Sequence, residues 1–310
     1  MNDSLNARVQ EILTSNGLDF QIEKIPLVGV QPTVSVDTNG ELIKGSKNIH
    51  TDMYGLLNTS SGEILKQVKN GYVVSQNEEV VGLVLKGMEK FGSQLSVQKA
   101  GSLHGGRRVF IQLAIEGTSS VGNDTIKRYV TIIDSNDGST GLSVGIGDLT
   151  MSCSNQFFQF NKSGQSKMRH TANLDARMLE IPMLIESALA NSMQMISTYN
   201  EFTTVGVSDR NIHDLVLTMT GLSKLSSVSD RADASTKSTN AMNKLYETIR
   251  TEIAQKGKNV WGLHSGVTRW TTHEKSAPKR DNGRIESAML STNYRTNQES
   301  FEFAKQLLTA

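Results

Sequence analysis

The sequence predicts an α+β fold: an antiparallel β-meander with a packed helix in the N-terminal half, and a helical C-terminal half. Two features carry this expectation. Before Asn161, short runs of β-branched residues are separated by polar turns; after it, apolar residues recur at helical spacing almost to the end. Strands first and helices second is the order of an α+β chain rather than a doubly wound one. A soft boundary near Asn161 would divide a mixed α/β domain, residues 1–160, from a helical region, 161–310, packed on it.

Leu5, Val9, Ile12 and Leu13 share one face of a first short helix. Residues 21–25 and 33–36 read as strands, and Asn39-Gly40 is a hairpin turn leading to Leu42-Ile43. Tyr72-Val73-Val74 reads as a short strand. Ser75 and Glu78 have capping-box spacing before Val80, Val81, Val84, Leu85, Met88 and Phe91, which recur as one helix face. Leu95 to Lys99 reads as a strand, followed by a glycine-rich turn, 101–106. Strands at 107–115, 126–134 and 142–151 then make the meander, joined by the polar loop 117–124 and by Asn136-Asp137-Gly138-Ser139.

A long helical pattern runs from Leu174 to Ile196, with Pro182 marking either a kink or a true start. Asp209 is the expected cap for 212–219, and the Ser-rich 223–239 is the expected loop. Helices follow near 240–254 and 259–272, where Trp261, His264 and Thr268 share a packing face. The last helix is expected from Thr296, where Thr296 and Glu299 repeat the capping spacing.

Composition narrows the function classes. The chain has 310 residues and a formal net charge of +1, from 32 basic and 31 acidic side chains, so any affinity for nucleic acid must come from a local patch. The single Cys153 excludes an internal disulfide. No apolar run approaches the roughly 20 residues that span a bilayer, and Met1-Asn2-Asp3-Ser4 lacks the basic start of a signal peptide. A soluble intracellular protein, with no membrane contact, is expected.

No catalytic constellation is recognisable. Asp137-Gly138 reads as a hairpin turn rather than a calcium loop, because Gly is fifth where that loop needs it sixth. The six histidines show no metal spacing, and Cys153 reads as a structural thiol rather than a nucleophile. Gly145-Ile146-Gly147 lacks a third glycine for a dinucleotide loop. No cofactor and no metal are expected.

Basic residues remain: Lys66 with Lys69; Lys99 with Arg107 and Arg108; Lys127 with Arg128; Lys162, Lys167, Arg169 and His170; and a stretch from Arg269 to Arg284. If the sheet unites Lys99, Arg107 and Lys127 or Arg128, they form a cationic strip beside a glycine turn, suited to a phosphate backbone. Phe110, Tyr129 and Trp270 are the aromatics placed to stack on bases.

Several motifs occur in the order seen in one family. They are the segment Tyr72 to Glu79, Ala100 to Phe110 with its His104-Gly105-Gly106-Arg107-Arg108, Asn136 to Ser139, Cys153-Ser154-Asn155, Arg169-His170-Thr171 and Val260-Trp261-Gly262-Leu263. Over roughly residues 70–275 the chain resembles a family of phage- and plasmid-encoded proteins of unknown function. It departs from the pattern at Ile111-Gln112-Leu113-Ala114, where the family often has an aromatic-rich stretch. The resemblance implies a phage or mobile-element origin and, with it, the host cytoplasm.

The element order from Asn77 to Asn191 is also similar to that of single-strand annealing recombinases, which set a curved sheet and a helix around a basic groove and assemble as rings or filaments. That likeness implies phosphate contacts from Lys99, Arg107, Arg108, Lys127, Arg128, Lys167 and Arg169. The expected function is therefore non-enzymatic binding of single-stranded DNA by a homo-oligomer, in recombination or replication. The alternative is an interaction protein that binds a phage or host factor through the loops 117–124 and 223–239.

Overall fold

The computed structural model describes residues 3–152, 154–160, 167–224, 236–280 and 282–309. Asn161, Cys153, Lys162 and residues 225–235 of the expected Ser-rich loop lie outside them.

Helix α1 (Asp3–Ser15) buries Leu5, Val9 and Leu13 and packs beside α2 (Asn77–Glu89). Between them lies a three-stranded antiparallel sheet of β1 (Ile22–Val36), β2 (Leu42–Asn58) and β3 (Ile64–Lys69), in that order. The two short strands expected at 21–25 and 33–36 belong to one strand, because Pro26 and Pro32 both accept an extended backbone at a sheet edge. At its tip the Asp37 carboxylate accepts the N–H groups of Asn39 and Glu41, each at 2.8 Å, and Gly40 takes the left-handed φ of +83°.

Tyr72 to Val74 is not a strand: the Val73 N–H donates to the His170 carbonyl at 3.2 Å and the segment runs as a connector. The capping box sits one residue later than expected, on Gln76 and Glu79, because the Ser75 hydroxyl donates to Asp134 instead.

The second sheet contains β4 (Leu95–Leu103), β5 (Arg108–Ile115), β6 (Ser119–Val121), β7 (Asp124–Ser135), β8 (Leu142–Thr150), β9 (Asn155–Phe160) and β10 (Lys167–Met168). Its order is β10-β8-β7-β5-β4, with β6 on β7 and β9 on β8, and its ladders are antiparallel. The expected meander is present. Strand β9 was not expected; its Phe158 and Phe160 lie flat across β8. A Cβ on Gly145 would stand 2.6 Å from Phe160, and one on Gly147 would stand 2.7 Å from Phe158. The Gly-Ile-Gly spacing thus serves aromatic packing.

The remaining helices are α3 (Leu174–Met178), α4 (Ile181–Thr204), α5 (Asp209–Thr220), α6 (Thr236–Lys256), α7 (Val260–Arg269), α8 (Gly283–Leu290) and α9 (Thr292–Leu308). Pro182 marks a true start, in the first turn of α4 where its missing N–H costs nothing. Ser208, not Asp209, caps α5, its hydroxyl accepting the Asn211 N–H at 3.1 Å. Ser291 caps α9, five residues ahead of the expected Thr296, and the Thr296 hydroxyl donates to the Thr292 carbonyl inside the helix. Helix α8 was not expected; only its first two residues, Gly283 and Arg284, fall in the basic stretch.

One apolar cluster draws side chains from both halves, from Leu5 to Ala304. A buried ionic cluster ties sheet to helices. Asp124 of β7 accepts from Lys256 of α6, from the Trp261 indole of α7 at 2.7 Å and from Ser152 at 2.8 Å. Glu252 lies 3.4 Å from Lys256 and 3.0 Å from Arg269. Burial alone would push the Asp124 carboxyl up; Lys256, Ser152 and Trp261 overcome it and hold the group below its usual range.

Candidate nucleic-acid interface

Adjacent residues on a strand face opposite sides, so β7 must send Lys127 and Arg128 apart. The register shows where each goes. Val130, Ile132 and Asp134 share the face of Arg128, which turns towards α4: its guanidinium donates to Ser192 Oγ at 3.1 Å and to Met193 Sδ at 2.8 Å. This closed face also carries Asp148, which accepts from Tyr199 Oη at 2.6 Å. Burial pushes the Asp148 carboxyl up to about 7, against a smaller opposing effect of the Tyr199 hydrogen bond.

Lys127, Tyr129, Thr131 and Ile133 face the other way. Cross-strand pairs put Gln112 opposite Thr131 and Lys99 opposite Gln112. On β8 and β9, Leu149, Gln156 and Phe158 join the same face. Helix α8 covers one half of it, closing Phe110, Ile133 and Phe158 under Ala288 and Met289. The other half is open. It forms a pocket of about 190 Å³, whose lining includes Gln98, Lys99, Gln112, Tyr129, Gln156 and Ile285. A bulge at Gln98, between Val97 and Lys99, brings both Gln98 and Lys99 to the pocket rim.

The open half is unpartnered. Among the described residues, the Lys99 and Lys127 ammonium groups make no ion pair or hydrogen bond, and neither do the side-chain amides of Gln98, Gln112 and Gln156. Gln112 is only 9% exposed, and its amide lies at the pocket wall. The Thr131 hydroxyl is buried without a partner, which is costly. Lys99 and Lys127 stand on one face roughly 16 Å apart, two strands across and four residues along. Cation, aromatic ring and free amides together can hold a phosphate, stack a base and read a base edge.

The other expected contacts lie elsewhere or are engaged. Arg107 pairs with Glu63 at 2.5 Å and donates to the Leu65 carbonyl. Its glycine turn is packed against Phe20 and Asn58: Gly106 has a φ of +85°, and a Cβ there would stand 2.8 Å from Asn58 Nδ2. Arg108 shares the face of Lys99 but donates to Glu286 at 3.0 Å and Ser139 at 2.8 Å, with Arg280 on the other side of Glu286. Lys167 and Arg169 are exposed at the β10 end, about 20 Å from Lys99 across four strand spacings. The seven cations therefore do not form one continuous strip. Lys99 and Lys127 are brought to one open face; Arg128 is on the opposite one.

A second cluster joins motifs that are distant in sequence. His170 Nδ1 lies 3.0 Å from the Val73 carbonyl and Nε2 lies 2.9 Å from Asp134 Oδ1. Both neighbours are acceptors, so both ring nitrogens donate and the ring is an imidazolium. Burial alone would lower its pKa; the Asp134 hydrogen bond and charge, with the Val73 carbonyl, outweigh it and raise the value. Tyr72 stacks on this ring at 4.8 Å and donates to the Ser135 carbonyl at 3.2 Å. Ser75 also donates to Asp134. Asp134 lies between Ser75 and His170, so the histidine does not reach the serine as a base would, and the cluster works as a staple of three segments.

Sequence reasoning missed Gln98, Gln112 and Gln156, along with the acids Glu63 and Glu286 that engage the arginines. The one available signal was alternation: Gln112 is a polar residue at a strand position between Ile111 and Leu113.

A family model described as Domain of unknown function (DUF932) matches residues 64–306. No curated protein and no solved structure matches the chain. The match covers most of the sequence, and the chain belongs to this family.

Proposed function

We propose that this member of a family of unknown function is a non-enzymatic, phage-encoded protein that binds single-stranded DNA on the open half of its second sheet, in recombination or replication. The observation that carries this reading is the unpartnered set of Lys99, Lys127, Tyr129 and Gln112 on one face. Lys99 and Lys127 take phosphates, Tyr129 offers a ring for stacking, and the free amides meet base edges. Arg107, Arg108 and Arg128, already engaged by protein groups, position the surrounding strands. The mobile-element origin rests on the resemblance carried by the motifs around Ser75, Gly106 and His170.

The reading is tested by fluorescence anisotropy of labelled single-stranded and duplex oligonucleotides, titrated with salt. The expected result is single-strand preference with a salt-dependent affinity. Replacing Lys99 and Lys127 by Ala removes two phosphate contacts and lowers the slope of log K against log salt by about 1.4. Equal affinity of the wild type and this variant across the salt titration would remove nucleic acid from this face.

A further inference from the structure

The β1–β2 hairpin extends beyond the body as a two-stranded arm. From Val28 to Val36 it is about 30 Å long, and every β2 partner in that register from Leu42 to His50 is exposed. One face of β1 carries Val28, Val30, Pro32, Val34 and Val36, with Leu42 beside them on β2. Val30 is 62%, Val34 65%, Val36 64% and Leu42 70% exposed. Residues 27–36 contain no charged side chain. An isolated two-stranded ribbon is marginal in water, and an uncharged apolar stripe on it is a surface that a partner covers.

We propose that the arm is a self-association element, and that its apolar face is covered by the same face of a second copy of this chain in antiparallel, two-fold symmetric packing. Three observations identify this occupant. The stripe is palindromic about Pro32: Val-Val-Pro-Val-Val at alternate positions from 28 to 36. A two-fold interface needs such self-complementarity, residue i meeting j while j meets i. Superposing two arms antiparallel about Pro32 sets Val28 on the copy's Val36 and Val30 on its Val34.

The charges agree with this pairing. Along the adjoining β2 stripe, Lys44 meets the copy's Asn48 and His50 meets its Leu42, so no like charges face each other. The area also agrees. Side chains of this size carry on the order of 100 Å² of apolar surface; six of them, mostly over half exposed, offer roughly 350 Å² per copy. A standard interface buries about 600–1,000 Å² per partner, of which about 57% is apolar, so the stripe reaches the low end of that range.

Along β1, the edge next to the valine stripe, the backbone register disfavours strand addition. The Asp37 N–H donates to the Glu41 carbonyl at 2.9 Å, which makes the odd-numbered rows of β1 the hydrogen-bonded ones. The even-numbered residues then direct their backbone groups to the free edge, and Pro32 has no N–H to offer there. Proline at the centre of the edge blunts it against a docking strand.

The test is sedimentation velocity of the full chain from about 1 to 100 µM, with Val30→Lys/Val34→Lys on the apolar face and Thr33→Lys on the opposite face. The wild type and Thr33→Lys are expected to be dimeric or larger at the upper concentrations. Val30→Lys/Val34→Lys is expected to weaken association at least 100-fold with an unchanged circular dichroism melt. In a Cys153→Ser background, Pro32→Cys should cross-link to its own copy with a short bismaleimide, and Val28→Cys should not. A wild type that stays monomeric overturns the proposal, as does an assembly indifferent to the double lysine variant. A monomer whose oligonucleotide binding is lost in that variant would also overturn it, reassigning the arm to nucleic acid. Loss of assembly with oligonucleotide binding retained supports it independently of the sheet-face reading.

Discussion

The two faces of the second sheet are built from the same strands and have opposite fates. On the closed face, Asp134 and Asp148 are buried and Arg128 half-buried, and each meets a protein partner: His170 and Ser75, Tyr199 of α4, and Ser192 of α4. The other face is sealed only where α8 lies on Phe110 and Ile133; beyond it, Lys99, Lys127 and Gln112 keep unpartnered polar groups. The difference teaches how to separate the two uses of a polar residue on a sheet. Groups that meet partners within the fold hold it together, and their loss is read in stability. Groups left unpartnered on an open face are free for a ligand, and their loss is read in binding.

The largest expected effect comes from the ionic cluster beside the closed face. Lys256→Met leaves Asp124 and Glu252 buried without their shared cation and is expected to cost about 3–5 kcal/mol in chemical denaturation. A change below about 1 kcal/mol would show that the cluster does not tie β7 to α6.

Next is the pH dependence of the closed face. Asp148 has a folded pKa of about 7 against an unfolded value near 3.8. The folded state therefore holds a proton that the unfolded chain has released, and stability falls as pH rises between those values. The shift corresponds to up to about 4 kcal/mol. Asp148→Asn should flatten this part of the profile. His170 acts in the same direction: its raised value contributes stability that is complete below the unfolded value of about 6.5 and lost as pH rises through the folded one. Buried His264, held neutral down to about 3, opposes these two below pH 6.5, so the diagnostic window lies above it: stability that rises with pH from about 6.5 to 7 would contradict both assignments.

Smaller is Gly147→Ala, whose Cβ would meet Phe158 at 2.7 Å. It is expected to cost about 1–3 kcal/mol by overpacking and to shift Phe158 at the pocket wall, so melting temperature and oligonucleotide affinity should fall together. The smallest stability effect belongs to Lys99→Ala with Lys127→Ala, within about 0.5 kcal/mol of wild type, because exposed side chains without partners support nothing in the fold.

Much of the fold was legible in the sequence because its signals are local. Alternation and short turns gave the meander, and Pro182 gave the start of α4. Strand β9 was not legible, since the adjacent aromatics Phe157 and Phe158 bury on both sides of the sheet and so break alternation. The caps at Gln76 and Ser291 were displaced because tertiary partners decide which hydroxyl is free: Ser75 is taken by Asp134.

The candidate site was legible only in part. Strand periodicity separates Lys127 from Arg128, but which face stays open depends on where α8 lands. The engagement of Arg107 and Arg108 depends on Glu63 and Glu286, 44 and 178 residues away in sequence. Contacts over such separations leave no local trace.

The most direct test of the account compares salt-titrated anisotropy of a labelled single-stranded oligonucleotide for the wild type, Lys99→Ala/Lys127→Ala, and Arg128→Ala. The account predicts that the double lysine variant loses affinity at least tenfold, with a salt slope lower by about 1.4, while keeping its melt. Arg128→Ala should lower the melt and leave the slope unchanged. A double lysine variant that binds as tightly and with the same slope as the wild type would contradict the assignment of the open face to nucleic acid.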